Sequence, residues 1–189
     1  MTAALIQEAI KCLAVQGVYL RESRFTQEPD FDPTIPRTFE LTAQYRARAE
    51  AMHLVEIEDA ENGAKQTLMN VHFSCGLRLI EADLVKKANS EMGVAAEIMA
   101  TFVAQYLVMP DSCPRKEALD AFAMNNAGYH VWPYWREYAQ SVCTRAGLPV
   151  VAIPMFTLPK ESQRKQTRPE KEIAKPKAPR KQKKATETK

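Results

Sequence analysis

Glycine is scarce in this chain, with only six residues among 189. Neither glycine-rich phosphate loop is present: there is no G-x-x-x-x-G-K-[ST] segment, and no G-x-G-x-x-G follows a predicted strand. This excludes both common nucleotide sites. No apolar run approaches the ~18 residues that a membrane-spanning helix requires. Residues 1–13 lack a basic start, a sustained apolar stretch and a small-residue cleavage site, so we expect no signal peptide.

Residue groups that carry chemistry are also missing. The cysteines form no C-x-x-C pair and lie far apart, at Cys12, Cys75, Cys113 and Cys143. We interpret them as reduced thiols of a cytoplasmic protein. The histidines are without partners at metal-ligand spacing; they are His53, His72 and His130. The acidic run over 56–61 is interpreted as a solvated strand end. The sequence therefore predicts no catalytic residue, no metal site and no cofactor.

Charge is divided unevenly along the chain, whose formal net charge is +3. Residues 158–189 contain 12 Lys and Arg but 4 Asp and Glu, a net charge of +8, whereas residues 1–157 contain 14 and 19, a net charge of −5. From residue 160 onward the sequence shows no apolar period. Such a segment cannot bury enough surface to offset the entropy of ordering it. We therefore predict one folded domain over 1–158 and a disordered basic tail over 159–189.

Alternation of apolar and polar residues predicts long, half-buried strands. Over 39–50 the apolar positions recur at every second residue, as Phe39, Leu41, Ala43, Tyr45, Ala47 and Ala49. The segments 16–25, 67–79 and 95–109 predict three more strands, and Asn62-Gly63 predicts a hairpin turn. Residues 81–93 are polar and are assigned to no element. Together the strands predict an antiparallel sheet with one solvated face.

Helical periodicity appears at both ends of this sheet region. Residues 3–13 predict a short amphipathic helix, and three prolines over 27–38 predict a loop. After Pro110, Asp111 or Ser112 is suited to cap a helix that ends near 125–128. Pro133 is suited to the first position of the next helix, which Gly147 and Pro149 end. The apolar face of this last helix is broad, which indicates contact with another subunit.

Residues 132–156 carry a recognisable motif. It reads Trp132-Pro133-Tyr134-Trp135-Arg136-Glu137, then Thr144-Arg145-Ala146-Gly147-Leu148-Pro149, then Ile153-Pro154-Met155-Phe156. This resembles the aromatic-Pro-Tyr-x-Arg-Glu helix of the SecB family, with its x-Arg-x-Gly-x-Pro turn and apolar exit. The Trp-Pro-Tyr form resembles more closely the SecB-like branch that includes chaperones of toxin–antitoxin systems.

The resemblance implies an α+β fold, namely a four-stranded antiparallel Greek-key sheet backed by helices. It further implies a cytoplasmic homotetramer, built as a dimer of dimers, that acts as an ATP-independent chaperone and not as an enzyme. Unfolded or nascent polypeptides are the implied partners. The branch decides whether the chain also meets the SecA motor during protein export or guards an antitoxin as a dedicated client.

The resemblance also assigns candidate residues. Those for client binding border the proline-rich loop and the exit: Phe31, Ile35, Trp132, Leu148, Ile153 and Phe156. Those for the oligomer interface lie on the last helix: Tyr134, Trp135, Tyr138 and Val142. Glu22 matches an acidic position at which export-type members contact SecA, whereas Thr26 stands where another acid is expected. The second amphipathic helix that follows the exit in those members is replaced here by the basic tail.

A different class of function is kept as the alternative. A lysine-rich tail binds phosphate groups non-specifically through counterion release, which would suit a protein associated with nucleic acid or the ribosome. The tail has no interleaved aromatic residues on which bases could stack. Any contact of the tail with nucleic acid is therefore expected to be non-specific.

Overall fold

The computed structural model describes residues 2–33, 35, 40–58, 63–81, 93–109 and 114–157. These form three helices and four strands: α1 (Thr2–Cys12), β1 (Leu13–Gln27), β2 (Leu41–Glu58), β3 (Lys65–Glu81), β4 (Val94–Val108), α2 (Lys116–Asn125) and α3 (Ala127–Arg145). The predicted tail 159–189 lies outside the described residues, as do Cys113, Asn62 of the hairpin turn and most of the unassigned segment 81–93.

The four strands form one antiparallel sheet in the order β1-β4-β3-β2. Strands β2, β3 and β4 follow one another as neighbours, and β1 lies beside β4, which is Greek-key topology. The predicted α+β Greek-key fold is confirmed. Because β3 and β4 are central, β1 and β2 are the two edge strands.

One face of the sheet, called here the inner face, packs against the helices and contains most of the core. Every second residue of β3 lies on this face and is almost completely buried: Met69, Val71, Phe73, Cys75, Leu77 and Leu79. The alternating residues of β2 pair with them in register, for example Tyr45 with Leu77 and Ala47 with Cys75. The alternation therefore identified the correct face of β2.

Strand β2 is longer than the alternation predicted. A bulge between Ala49 and Ala51 shifts its register against β3 by one residue, so that Met52 instead of Ala51 continues the inner face. The strict period of two ends at this bulge, whereas the hydrogen-bonded ladder continues to Glu58. The extra residue explains why sequence periodicity ended the strand early.

The first residues of helices α2 and α3 differ from those that the sequence predicted. Helix α3 begins at Ala127, six residues before Pro133, which lies inside the helix with its ring exposed. A proline here removes the hydrogen bond to the Tyr129 carbonyl and its ring crowds that carbonyl, while the first two turns bury apolar residues, Val131 and Trp132 among them. The cap of α2 was also predicted wrongly, because Arg115 occupies the N-cap position. Asp111 and Ser112 lie outside the described residues.

Candidate functional site

The exit segment, residues 148–157, follows α3 and belongs to no helix or strand. Prolines at 149 and 154 and the β-branched Val150, Val151 and Ile153 disfavour a helix here. Two carbonyl oxygens anchor it: Tyr45 donates its hydroxyl hydrogen to Ala152 O at 3.1 Å, and Trp132 Nε1 donates to Pro154 O at 2.7 Å. Partial burial, with a smaller effect from Cys143, raises the pKa of Tyr45, so this hydroxyl keeps its donor proton.

The ring of Phe156, near the end of the exit segment, lies in a recess that we call the aromatic notch. The notch is formed by Phe73, Gly128, Tyr129 and Trp132. The ring centroid of Phe156 lies 4.9 Å from that of Tyr129, 5.2 Å from that of Trp132 and 6.0 Å from that of Phe73. An ideal Cβ on Gly128 would lie 2.2 Å from Cζ of Phe156. The missing side chain of Gly128 therefore makes room for the ring.

The proline-rich loop borders the other end of the exit segment. Phe31 is buried, and its carbonyl accepts a 2.7 Å hydrogen bond from Gln27 Nε2. A Cβ on Gly147, which has a positive φ of 66°, would lie 3.4 Å from Pro33 Cγ. Ile35 is 60% exposed. The loop and the start of the exit segment are thus neighbours at the end of α3, as the candidate groove requires.

The six candidate client-binding residues fall into three groups. Trp132 and Phe156 meet across 24 residues of sequence in the notch. Phe31, Leu148 and Ile153 are buried within the chain's own core, whereas Ile35 faces solvent. Sequence reasoning missed Phe73, Gly128 and Tyr129. The one available signal was a glycine inside a helical stretch, which was taken for a helix end.

The four candidate interface residues differ in accessibility. Tyr134 is 49% exposed, Tyr138 and Val142 are half-buried, and Trp135 is 0% exposed. Tyr138 packs edge-on against Phe102 of β4. Tyr134 is therefore the candidate that presents most surface to a second subunit, whereas Trp135 could reach one only if its neighbours moved.

Edge strand β1 exposes large apolar side chains on both faces of the sheet. Leu20 and Phe25 pair with Phe102 and Ile98 and so share the inner face, but both are about two-fifths exposed. Tyr19, on the opposite face, is 48% exposed. An edge strand with exposed apolar residues can pair with another strand.

The outer face of the sheet, opposite the helices, carries charges of both signs. Glu22 lines a depression of about 330 Å³ together with Arg24, Arg78 and Glu97. Arg78 and Glu97 form an ion pair, and Arg48 Nη2 lies 2.6 Å from Glu50 Oε2. The surroundings of Glu22 are thus mixed in charge and not uniformly acidic.

The half-buried His130 of α3 and the buried Tyr106 of β4 form a polar pair. The Tyr106 hydroxyl lies 2.9 Å from His130 Nδ1, and the ring of Phe122 packs against both. Burial lowers the pKa of His130 and raises the pKa of Tyr106. Both shifts favour the pair in which each side chain is neutral.

We expect the melting temperature to fall when the pH is lowered from 7.5 to about 5.5. An unfolded histidine binds its proton near pH 6.5, whereas the folded His130 resists it, so acid favours the unfolded chain across this window. Burial also lowers the pKa of His72 and adds an effect of the same sign. The His130→Gln variant, whose amide can donate to or accept from the Tyr106 hydroxyl, should show a smaller fall in differential scanning fluorimetry. An unchanged fall in the His72→Gln/His130→Gln double variant would contradict this origin.

The described residues contain no cluster of side chains suited to bind a metal ion. Within the described residues, no group of three or more His, Cys, Asp or Glu side chains is placed to hold a metal ion. Burial raises the pKa of the Cys75 and Cys143 thiols. Raised pKa values disfavour the thiolate form that ligation and nucleophilic attack require. None of the helices in the described residues is long and apolar enough to cross a membrane.

Comparison with known proteins supports the fold. No family model matches the sequence, and no curated protein matches it. Among solved structures, the chain is similar to a SecB-like chaperone from Mycobacterium tuberculosis, solved in complex with a ChAD peptide from the HigA1 antitoxin. The TM-score is 0.58 at 18% identity, over 83% of this chain and 99% of that chain. This chain therefore has a SecB-like fold.

Proposed function

We propose that this chain is a subunit of a cytoplasmic, nucleotide-independent chaperone that holds unfolded or nascent polypeptides and catalyses no reaction. The observation that carries the proposal is the exposure of large apolar side chains along the exit segment and beside the notch. Val150 is 91% exposed, Met155 72% and Tyr129 47%. Exposed apolar surface of this kind is typical of sites that bind other polypeptides.

The client-binding surface that we propose lies between the proline-rich loop and the exit segment. The notch floor at Trp132, which Phe156 covers in this structure, would receive a client side chain, and Ile35 would contact the client through its exposed side chain. Phe31, Leu148 and Ile153 would support that surface from below. The peptide bound to the structural neighbour supports a client in the form of a peptide segment. A dedicated client such as an antitoxin is therefore part of the proposal.

Delivery of clients to the SecA motor receives less support. Glu22 is exposed on the outer face as that hypothesis requires, but Arg24 and Arg78 lie beside it. Basic side chains weaken the attraction of this face for a partner that recognises acids. Holding clients is therefore the activity that we propose, and contact with SecA through Glu22 stays a prediction.

The proposed activity is tested by diluting a chemically denatured enzyme into buffer that contains the chain at equimolar ratio. Light scattering from aggregates should be suppressed equally with and without ATP. Val150→Ser should require about fivefold more subunit for half suppression, which corresponds to a loss of roughly 1 kcal/mol of apolar contact. No suppression by the wild-type chain, or suppression only with ATP, would rule the proposal out.

Ile57→Ser is the matched control for Val150→Ser. Ile57 is also a large exposed apolar residue, 42% exposed, but it lies twelve residues along β2 from Tyr45, about 40 Å away in an extended strand. Its replacement should leave the suppression curve unchanged. If both variants lose activity equally, client binding depends on overall apolarity and not on the exit segment.

We further propose that the chain assembles as a dimer of dimers, which requires two different contact surfaces. The β1 edge and the exposed face of α3 around Tyr134 supply two candidates.

Multi-angle light scattering should give about four times the 21.3 kDa subunit mass. Leu20→Lys should lower this mass, because a charge on an edge strand opposes pairing with another strand. Leu54→Lys, the same change on the other edge strand, should leave the mass unchanged. A wild-type mass of one subunit at micromolar concentration would overturn the assembly proposal.

A further inference from the structure

Phe156 occupies the aromatic notch as a bound side chain would. The rings of Phe73 and Trp132, which form the floor, are only 1% and 6% exposed, while Phe156 above them is half-buried. Its ring plane makes angles of 71° with Phe73, 51° with Trp132 and 85° with Tyr129. Edge-on and tilted arrangements of this kind are the favourable geometries for aromatic contacts. The notch is therefore a fitted receptor for one ring.

The segment that carries Phe156 is held by few backbone hydrogen bonds. Between residues 149 and 157, the described residues provide hydrogen-bond partners for the carbonyls of Ala152 and Pro154 and for Met155 Sδ, which accepts from Arg136 Nη1 at 3.5 Å. The segment belongs to no helix and no strand. Segments with few backbone hydrogen bonds open more readily than helices or sheet strands. Local release of residues 154–157 would expose the notch while leaving the sheet and α3 intact.

The two anchoring donors can serve any extended polypeptide. Tyr45 and Trp132 bind carbonyls two residues apart, at 152 and 154, which is the spacing at which an extended chain repeats its orientation. Between the second carbonyl and the ring, Met155 is 72% exposed and lies outside the notch. A foreign segment that takes the place of residues 154–157 needs a carbonyl for Trp132 Nε1 and, two residues later, an aromatic side chain for the notch.

We propose that residues 154–157 are an intramolecular competitor for the client site, and that a client gains the notch only by displacing Phe156. The proposal rests on the proposed chaperone function. Gly128 then determines what the notch accepts, because a side chain at this position would occupy the space of the ring. The apparent affinity for clients is then the intrinsic affinity multiplied by the fraction of chains in which the notch is empty.

The test compares two synthetic peptides that differ only at one central residue, Phe in one and Ala in the other, each with a fluorescent label at one end. Binding to full-length chains is measured by fluorescence anisotropy. Phe156→Ala should bind the Phe peptide about threefold or more tighter than the wild type, since emptying the notch removes the competition. The Ala peptide should bind both proteins equally.

A second variant distinguishes an emptied notch from a general change in structure. In the Gly128→Ala/Phe156→Ala double variant the added methyl group no longer meets the Phe156 ring, and alanine is favoured over glycine in a helix. This variant should fold normally by circular dichroism but lose the gain in affinity for the Phe peptide. Retention of the full gain would overturn the role of Gly128 and with it the proposed location.

Aggregation assays on the same proteins separate failure of this inference from failure of the chaperone function. If Phe156→Ala suppresses aggregation as the wild type does but binds the Phe peptide no tighter, the competitor hypothesis is wrong and the chaperone function stands. If neither protein suppresses aggregation and neither peptide binds, the proposed function fails and the inference fails with it.

Discussion

Replacing Trp135 by alanine is expected to lower the free energy of unfolding by about 3–5 kcal/mol, the range for removing a fully buried large aromatic side chain. Trp135 is among the largest side chains that have no exposed surface, and it packs beside Tyr138 on α3. The cavity left behind cannot collapse easily, because the surrounding core is formed by rigid sheet and helix. Urea denaturation at fixed subunit concentration measures the loss, since assembly makes stability depend on concentration.

Trp135→Phe is the informative control. The indole Nε1 of Trp135 has no hydrogen-bond partner among the described residues, although it is buried. Phenylalanine keeps most of the packing and removes this unpaired donor, whose burial is unfavourable. We expect the variant to lie within about 1 kcal/mol of the wild type. A loss as large as that of Trp135→Ala would show that the indole nitrogen makes an essential contact, for example with another subunit.

Gly128→Ala should destabilise the wild-type chain by about 1–3 kcal/mol, as expected for overpacking. The added Cβ would lie 2.2 Å from Cζ and under 3 Å from both Cε atoms of Phe156, so the ring must leave the notch or the helix must shift. In a Phe156→Ala background the same change should be neutral or stabilising by up to about 1 kcal/mol, because alanine is the better helix former. Urea denaturation of the four proteins provides a double-mutant cycle.

The sign change between the two backgrounds is the decisive result of this cycle. Residues in direct contact show coupling, whereas independent sites show additive effects. If Gly128→Ala has the same effect with and without the Phe156 ring, the two residues are not packed together. The aromatic notch would then have to be redrawn without them.

The strands illustrate what could be predicted from sequence. Alternation identified β2 and its inner face through Tyr45 and Ala47, and the register with β3 confirms it. The alternation of apolar and polar residues ends at the bulge after Ala49, because one inserted residue exchanges the two faces without ending the ladder. Local periodicity therefore predicts an element well until a backbone irregularity resets the period.

Helix α3 shows where local rules lose to packing. Pro133 is a good first residue of a helix, yet the helix starts six residues earlier, at Ala127. Burial of Val131 and Trp132 against the sheet outweighs the one hydrogen bond that the proline removes. The same packing places Trp135 inside the subunit, although the broad apolar face suggested that it meets another subunit.

By itself, the sequence determined the strands, their inner face and the resemblance carried by residues 132–156, because each depends on residues close together in the chain. Only the tertiary structure decided the composition of the notch. Phe73 comes from β3, Gly128 and Trp132 from α3, and Phe156 from the exit segment. Their meeting depends on how α3 and the exit segment lie against the sheet, which is set by the summed burial of many distant residues. A periodicity of two or 3.6 residues states which side of an element is apolar, but not which apolar side it will meet.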